Sequence, residues 1–120
     1  MHRRTRKLQF SQAERRKIIT RDNGECIFCA MGYRPSEDKY LLPVREIMHF
    51  IPRSAGGLGV ERNGAVGCKY HHMMLDNGSR GERTEMLALF EKYLRGKYPD
   101  WKKEALIYRK YEFQEDSLCL

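Results

Sequence analysis

The sequence predicts a small α+β domain: two short strands and a helix, a ββα unit over about residues 44–78, set between helices at both ends. Three observations carry this. Val44–Ile51 is rich in β-branched and aromatic residues, a helical pattern starts near Lys69, and two pairs of metal-binding side chains, Cys26/Cys29 and Cys68/His71, bracket the strand. At 120 residues the chain makes one domain with a modest core, which a structural metal would reinforce.

Residues 1–10 read as a basic flexible arm ending in Phe10, and residues 11–120 as the domain. Ser11-Gln12-Ala13-Glu14 is a capping box, in which hydroxyl and carboxylate satisfy the free N–H groups at a helix start. Ala13, Ile18 and Ile19 give that helix a narrow apolar face, and Asp22-Asn23-Gly24 stops it. Cys26–Gly32 then turns tightly with two thiols inward, and Tyr33–Lys39 is a polar connection. Val44–Ile51 is the first strand, ended by Pro52, and Arg53–Asn63 is a glycine-rich loop. Ala65 and Val66 form a short returning strand, and a helix runs from Lys69 to the Asn77-Gly78 stop. Two C-terminal helices are expected over about residues 82–112. Met86, Leu89, Phe90, Tyr93 and Leu94 line the first, which Gly96 closes; Pro99-Asp100 opens the second, with Trp101, Leu106, Ile107 and Tyr108 as packing residues.

The net charge of +7 is unevenly placed. Residues 1–21 hold eight Lys/Arg against one acid, Glu14, while the rest of the chain balances at 15 of each sign. A basic end on a neutral body suits a polyanion, because each phosphate contact releases counterions. No run of about 18 apolar residues is present, so no membrane span is expected. The basic N-terminus lacks the apolar segment of a secretory signal, and a cytoplasmic setting is the expectation.

Without such a signal, and with histidine at the matching interval, the cysteines suggest metal rather than disulfides. Cys26 and Cys29, like Cys68 and His71, are separated by two residues, which lets both members of a pair reach one tetrahedral ion from a single turn. Thiolate and imidazole donors favour Zn2+, and four protein ligands make the site structural. His71 and His72 compete for the fourth place; the two-residue spacing favours His71. Cys119 stands outside the pattern and has no assigned role.

Residues 26–77, with His49, Asn63 and His72 in order at intervals of 14 and 9 residues, resemble the HNH endonucleases of the wider His-Me finger (ββα-metal) group. A stand-alone module of this length resembles the small HNH proteins of phage and bacterial genomes, so the resemblance implies a bacterial cell or phage-infected host. It further implies DNA as substrate, a ββα-metal core with a split zinc knuckle, and phosphodiester hydrolysis with a divalent cation (Mg2+ or Mn2+, with Ni2+ or Zn2+ as further options). His49 would then be the general base, Asn63 would hold the loop and the His49 ring, and His72 would bind the metal. Asp76, one helical turn after His72, is a candidate further ligand, as is Glu46. Arg53, Arg62, Lys69 and Arg80 near the site, and Arg3 and Arg4 in the arm, are candidate DNA contacts.

Met48 departs from the family, which usually has an acid or histidine ligand before the first histidine; a thioether is a poor ligand for hard cations. Three accounts are open: Glu46 reaches over, Asp76 replaces the ligand, or cleavage has been lost while the fold is kept. The last defines the main rival, a non-catalytic zinc module that binds nucleic acid. A third class is a protein-interaction module presenting Tyr93, Tyr98, Trp101, Tyr108, Tyr111 and Phe113.

Overall fold

Strands β1 (Arg45–His49) and β2 (Gly64–Cys68) pair antiparallel, with Met48 opposite Ala65 and His49 opposite Gly64. The structure is a computed structural model that describes residues 3–109. A lone two-stranded hairpin is marginal in water, so its stability comes from what covers it. Helices α2 (Gln12–Asp22), α3 (Ile27–Ala30) and α4 (Lys69–Asn77) all pack on β2, whose five residues are buried. Small residues permit this approach. A Cβ on Gly64 would fall 2.6 Å from the Phe10 ring, and one on Gly67 would fall 2.3 Å from the Met48 sulfur.

The outer edge of β2 is closed by a side chain rather than a strand. Asp22, buried at the end of α2, accepts the Val66 N–H at 2.8 Å. It is paired in turn with Arg21 at 2.7 Å and accepts the Tyr93 hydroxyl. Arg21 also donates to the Gly64 and Glu61 carbonyls, so one half-buried cation ties α2 to the first residue of β2 and to the turn before it.

The core lies on the Met48 side of the hairpin. Phe28, Met48, Phe50, Met86, Phe90, Leu94 and Trp101 are buried there, and Phe90 and Trp101 meet Phe50 edge-on at 5.4 and 5.6 Å. Helix α5 (Arg80–Lys97) contributes Met86, Phe90 and Leu94 from one face and starts at a complete capping box between Ser79 and Glu82. Trp101 donates its indole N–H to the Arg62 carbonyl at 2.7 Å. It is buried, and Tyr93 and Tyr98 are partly buried against the same core, so these three are packing residues rather than a presented aromatic surface.

The expected elements at the centre are present within a few residues of their anticipated ends, and three expectations at the periphery are corrected. Residues Arg3–Leu8 form helix α1, docked through the buried Leu8, in place of an arm standing off the body. The capping box at Ser11 is only half formed: Ser11 accepts the Glu14 N–H, while the Glu14 carboxylate turns away to the Glu61 N–H at 2.8 Å. A tertiary donor outcompetes the local one. The second C-terminal helix is replaced by a 3-10 turn, Lys103–Leu106, followed by an antiparallel bridge from Ile107 to Gly57. Tyr111, Phe113 and Cys119 lie outside the described residues. Among the described residues no helix is long and apolar enough to cross a membrane.

Candidate metal centre and active-site cleft

Cys26 is the N-cap of α3 and Cys68 the N-cap of α4, and each sulfur accepts the N–H three residues on, from Cys29 at 3.5 Å and from His71 at 3.4 Å. The second ligand of each pair therefore sits in the first helical turn, directed at the same point as the first. The four ligand atoms lie within 4.8 Å of one another. Cys29 and Cys68 sulfurs are 3.8 Å apart, and the His71 Nδ1 is 3.6, 3.5 and 3.3 Å from the sulfurs of Cys26, Cys29 and Cys68. Two sulfurs each about 2.3 Å from a tetrahedral Zn2+ would stand about 3.8 Å apart, so the spacing fits that ion.

The choice between the two adjacent histidines is decided by a hydrogen bond. His71 is buried and donates Nε2–H to the Tyr33 carbonyl at 2.7 Å, which leaves Nδ1 as the donor atom toward the thiols. Burial pushes the Cys26 thiol up, but hydrogen bonding with His71 and with backbone N–H groups outweighs it and brings it down to about 6. Burial and then the neighbouring Cys26 charge hold Cys29 up at about 12 and keep Cys68 above its ordinary value. A divalent cation at this point would relieve the repulsion among the three thiolates.

The opposite face of β1 lines a cleft of about 580 Å³ formed by Gln9, Phe10, Arg15, Ile47, His49, Pro52, Arg53, Ser54, His72 and Asp76. Strand alternation accounts for the division: Ile47 and His49 face the cleft while Met48 faces the core. Met48 is therefore not a failed ligand directed into the cleft. Its side chain fills the space over Gly67 with no exposure to solvent.

His49 donates Nε2–H to the Leu8 carbonyl at 2.8 Å, because a carbonyl can only accept; the ring is thereby left with Nδ1 as its free acceptor. The Phe10 ring packs on it at 4.3 Å between centroids. Burial lowers the His49 pKa below its ordinary value; the Leu8 carbonyl opposes this shift and Arg53 reinforces it.

Asn63 is fully buried and satisfied on every side. Its side-chain N–H groups donate to the Ile51 and Leu58 carbonyls at 3.1 and 2.8 Å, and its Oδ1 accepts the Ile51 N–H at 2.8 Å. These bonds tie it to the loop after His49, and its side chain has no hydrogen bond to the His49 ring among the described residues. Leu8 and Phe10 hold that ring, and nothing local in the sequence marks them, since a backbone carbonyl 41 residues away has no residue signature.

His72, at the start of α4, lies between two carboxylates: Nδ1 is 2.9 Å from Glu46 and Nε2 is 3.5 Å from Asp76. Asp76 lines the cleft with His72, whereas Glu46 does not. Of the expected DNA contacts, Arg53 alone among Arg53, Arg62, Lys69 and Arg80 lines the cleft. Arg62 is placed on another groove, paired with Asp100 at 3.0 Å and stacked over Tyr98. Lys69 and Arg80 are exposed and take no part in the cleft lining. Arg15, on α2, does line it and was not singled out from the sequence. Arg3 and Arg4 lie on α1, whose end is fixed to the glycine loop by the Gly59 N–H to Lys7 carbonyl bond at 3.0 Å.

No known protein-family model matches the chain, and no curated protein or solved structure gives a significant match. The geometry alone therefore defines the class: a small α+β domain with a Cys3His cluster, suited to a structural metal such as zinc, beside a strand hairpin.

Proposed function

We propose that this chain is a metal-dependent DNA endonuclease of HNH type. The observation that carries the proposal is the common cleft of His49, His72 and Asp76, with the His49 Nδ1 left as a free acceptor. In this reading Nδ1 takes a proton from a water molecule that attacks the scissile phosphate in line. Burial keeps the imidazole neutral, hence basic, at neutral pH. Arg53 and Arg15, both lining the cleft, hold phosphate oxygens and fix the position of the strand without reading its sequence.

His72 Nε2 and Asp76 would hold the catalytic cation. Their 3.5 Å separation leaves room for a shared ion, since two ligands at about 2.1 Å stand about 3 Å apart in octahedral geometry. Such a cation, Mg2+ or Mn2+ in particular, neutralises charge developing on the phosphate and leaving oxygen. Glu46, a candidate ligand in the sequence, takes a different role in this reading: it accepts Nδ1–H and turns Nε2 toward Asp76.

The test is incubation of the zinc-loaded protein with supercoiled plasmid and Mg2+, Mn2+ or Ni2+. Cleavage that needs the added metal and falls about 10²–10⁴-fold in His49→Ala is the expected result. Metal-independent cleavage, or an unaffected His49→Ala, would overturn it. The acid limb of the pH–rate profile should lie below the ordinary histidine value of about 6.5. The sign follows from the base role: a lowered pKa keeps His49 unprotonated further into acid. A limb above that value would remove His49 from the role.

One observation favours the rival reading. Burial of Met48 leaves no ligand before His49, so a non-catalytic zinc module that binds nucleic acid through the same basic cleft is the second interpretation. Salt-sensitive DNA binding without cleavage under any metal would establish it.

A further inference from the structure

We propose that the segment Leu8–Phe10 is a built-in clamp on His49, with Phe10 as a positioning residue that keeps the ring's Nε2–H bonded to the Leu8 carbonyl. The catalytic part of this proposal rests on the nuclease reading above; the clamp itself does not.

Two contacts hold the ring from the N-terminal side. The Leu8 carbonyl accepts its Nε2–H at 2.8 Å, and the Phe10 ring covers its face at 4.3 Å. The clamp is itself anchored on both sides of His49. On one side the Gly59 N–H donates to Lys7, and Gly59 approaches so closely that a Cβ there would fall 2.1 Å from the Gln9 carbonyl oxygen. On the other, Phe10 lies over Gly64, the strand partner of His49, where a Cβ would fall 2.6 Å from the ring. Leu8 itself is buried. Two glycines thus admit the N-terminal segment to the site, and neither tolerates a side chain in this arrangement.

The direct readout is the His49 Nε2-bound proton in 15N-edited NMR at neutral pH. A proton held in a partly buried hydrogen bond to a carbonyl exchanges slowly enough to be seen, whereas one open to water does not. The expected result is a visible proton in the wild type and in Phe10→Tyr, and its loss in Phe10→Ala and in Gly59→Ala. Gly59→Ala displaces the clamp without altering Phe10 or His49, so it tests the proposal even if Phe10→Ala misfolds. Thiolate-to-metal absorption of the Co2+-loaded Cys3His cluster reports whether each variant is folded. In the plasmid assay both variants should lose kcat by about 10–10²-fold with KM little changed. A proton that survives in the folded variants, or is absent from the wild type, would overturn the clamp. Absence of cleavage in the wild type would overturn only the nuclease reading, since the proton measurement does not depend on turnover.

Discussion

Cys68→Ser is expected to abolish cooperative folding. The site joins α3 to the start of α4, with Cys29 and Cys68 39 positions apart in the chain, and among the described residues no strand pairing joins α3 to the hairpin. Structural zinc contributes about 10–16 kcal/mol in small zinc-folded units. A domain of this kind has about 5–15 kcal/mol of net stability, so loss of the ion is comparable with all of it. Cys68 is also the N-cap whose sulfur accepts the His71 N–H, so its replacement misplaces a second ligand. Metal analysis should give one zinc per wild-type chain. Strong chelator should collapse the circular dichroism transition of the wild type, and Cys68→Ser should show none. A cooperative transition within about 1 kcal/mol of wild type would show that the cluster is not the staple.

Met48→Asp, the replacement that the family pattern suggests for restoring a metal ligand, is expected to destabilise the domain without raising cleavage. Met48 has no solvent exposure, and its side chain occupies the space that Gly67 leaves open. A carboxylate there has no partner and faces the core rather than the cleft, at a cost of about 3 kcal/mol or more in urea unfolding. The pH dependence identifies the cause. A buried carboxyl has its folded-state pKa raised above the unfolded value of about 3.9. The penalty relative to wild type is therefore full above the folded-state pKa and shrinks as the pH falls toward the unfolded one. Met48→Leu, which keeps apolar volume, should cost under about 1.5 kcal/mol. An active and undiminished Met48→Asp would mean that this side chain does reach the cleft.

The metal-binding half of the site was legible in the sequence because its signal is local. A Cys at a helix N-cap and a ligand three residues later are one turn of chain, and two such turns supply the four donors that one tetrahedral ion takes. Asn63 was legible as the residue that holds the loop after His49, and His72 and Asp76 as neighbours on one helix face. The basic contacts were not. Arg62 and Arg15 carry the same charge, yet Asp100 and Tyr98 engage the first on a separate groove, while α2 places the second in the cleft. Nothing in the spacing of charges along a chain says which of them share a surface.

What the sequence determined by itself is the α+β class, the strand–loop–strand–helix order and the Cys3His set, all encoded in periods and spacings a few residues long. Tertiary structure alone decided two things: that Met48 belongs to the core, and that the N-terminal residues cover His49. Each depends on a partner far along the chain, namely Gly67 and the Leu8 carbonyl. Backbone carbonyls and glycines carry no side-chain chemistry to announce such roles; only packing, which brings distant segments within 3 Å of a ring nitrogen, assigns them.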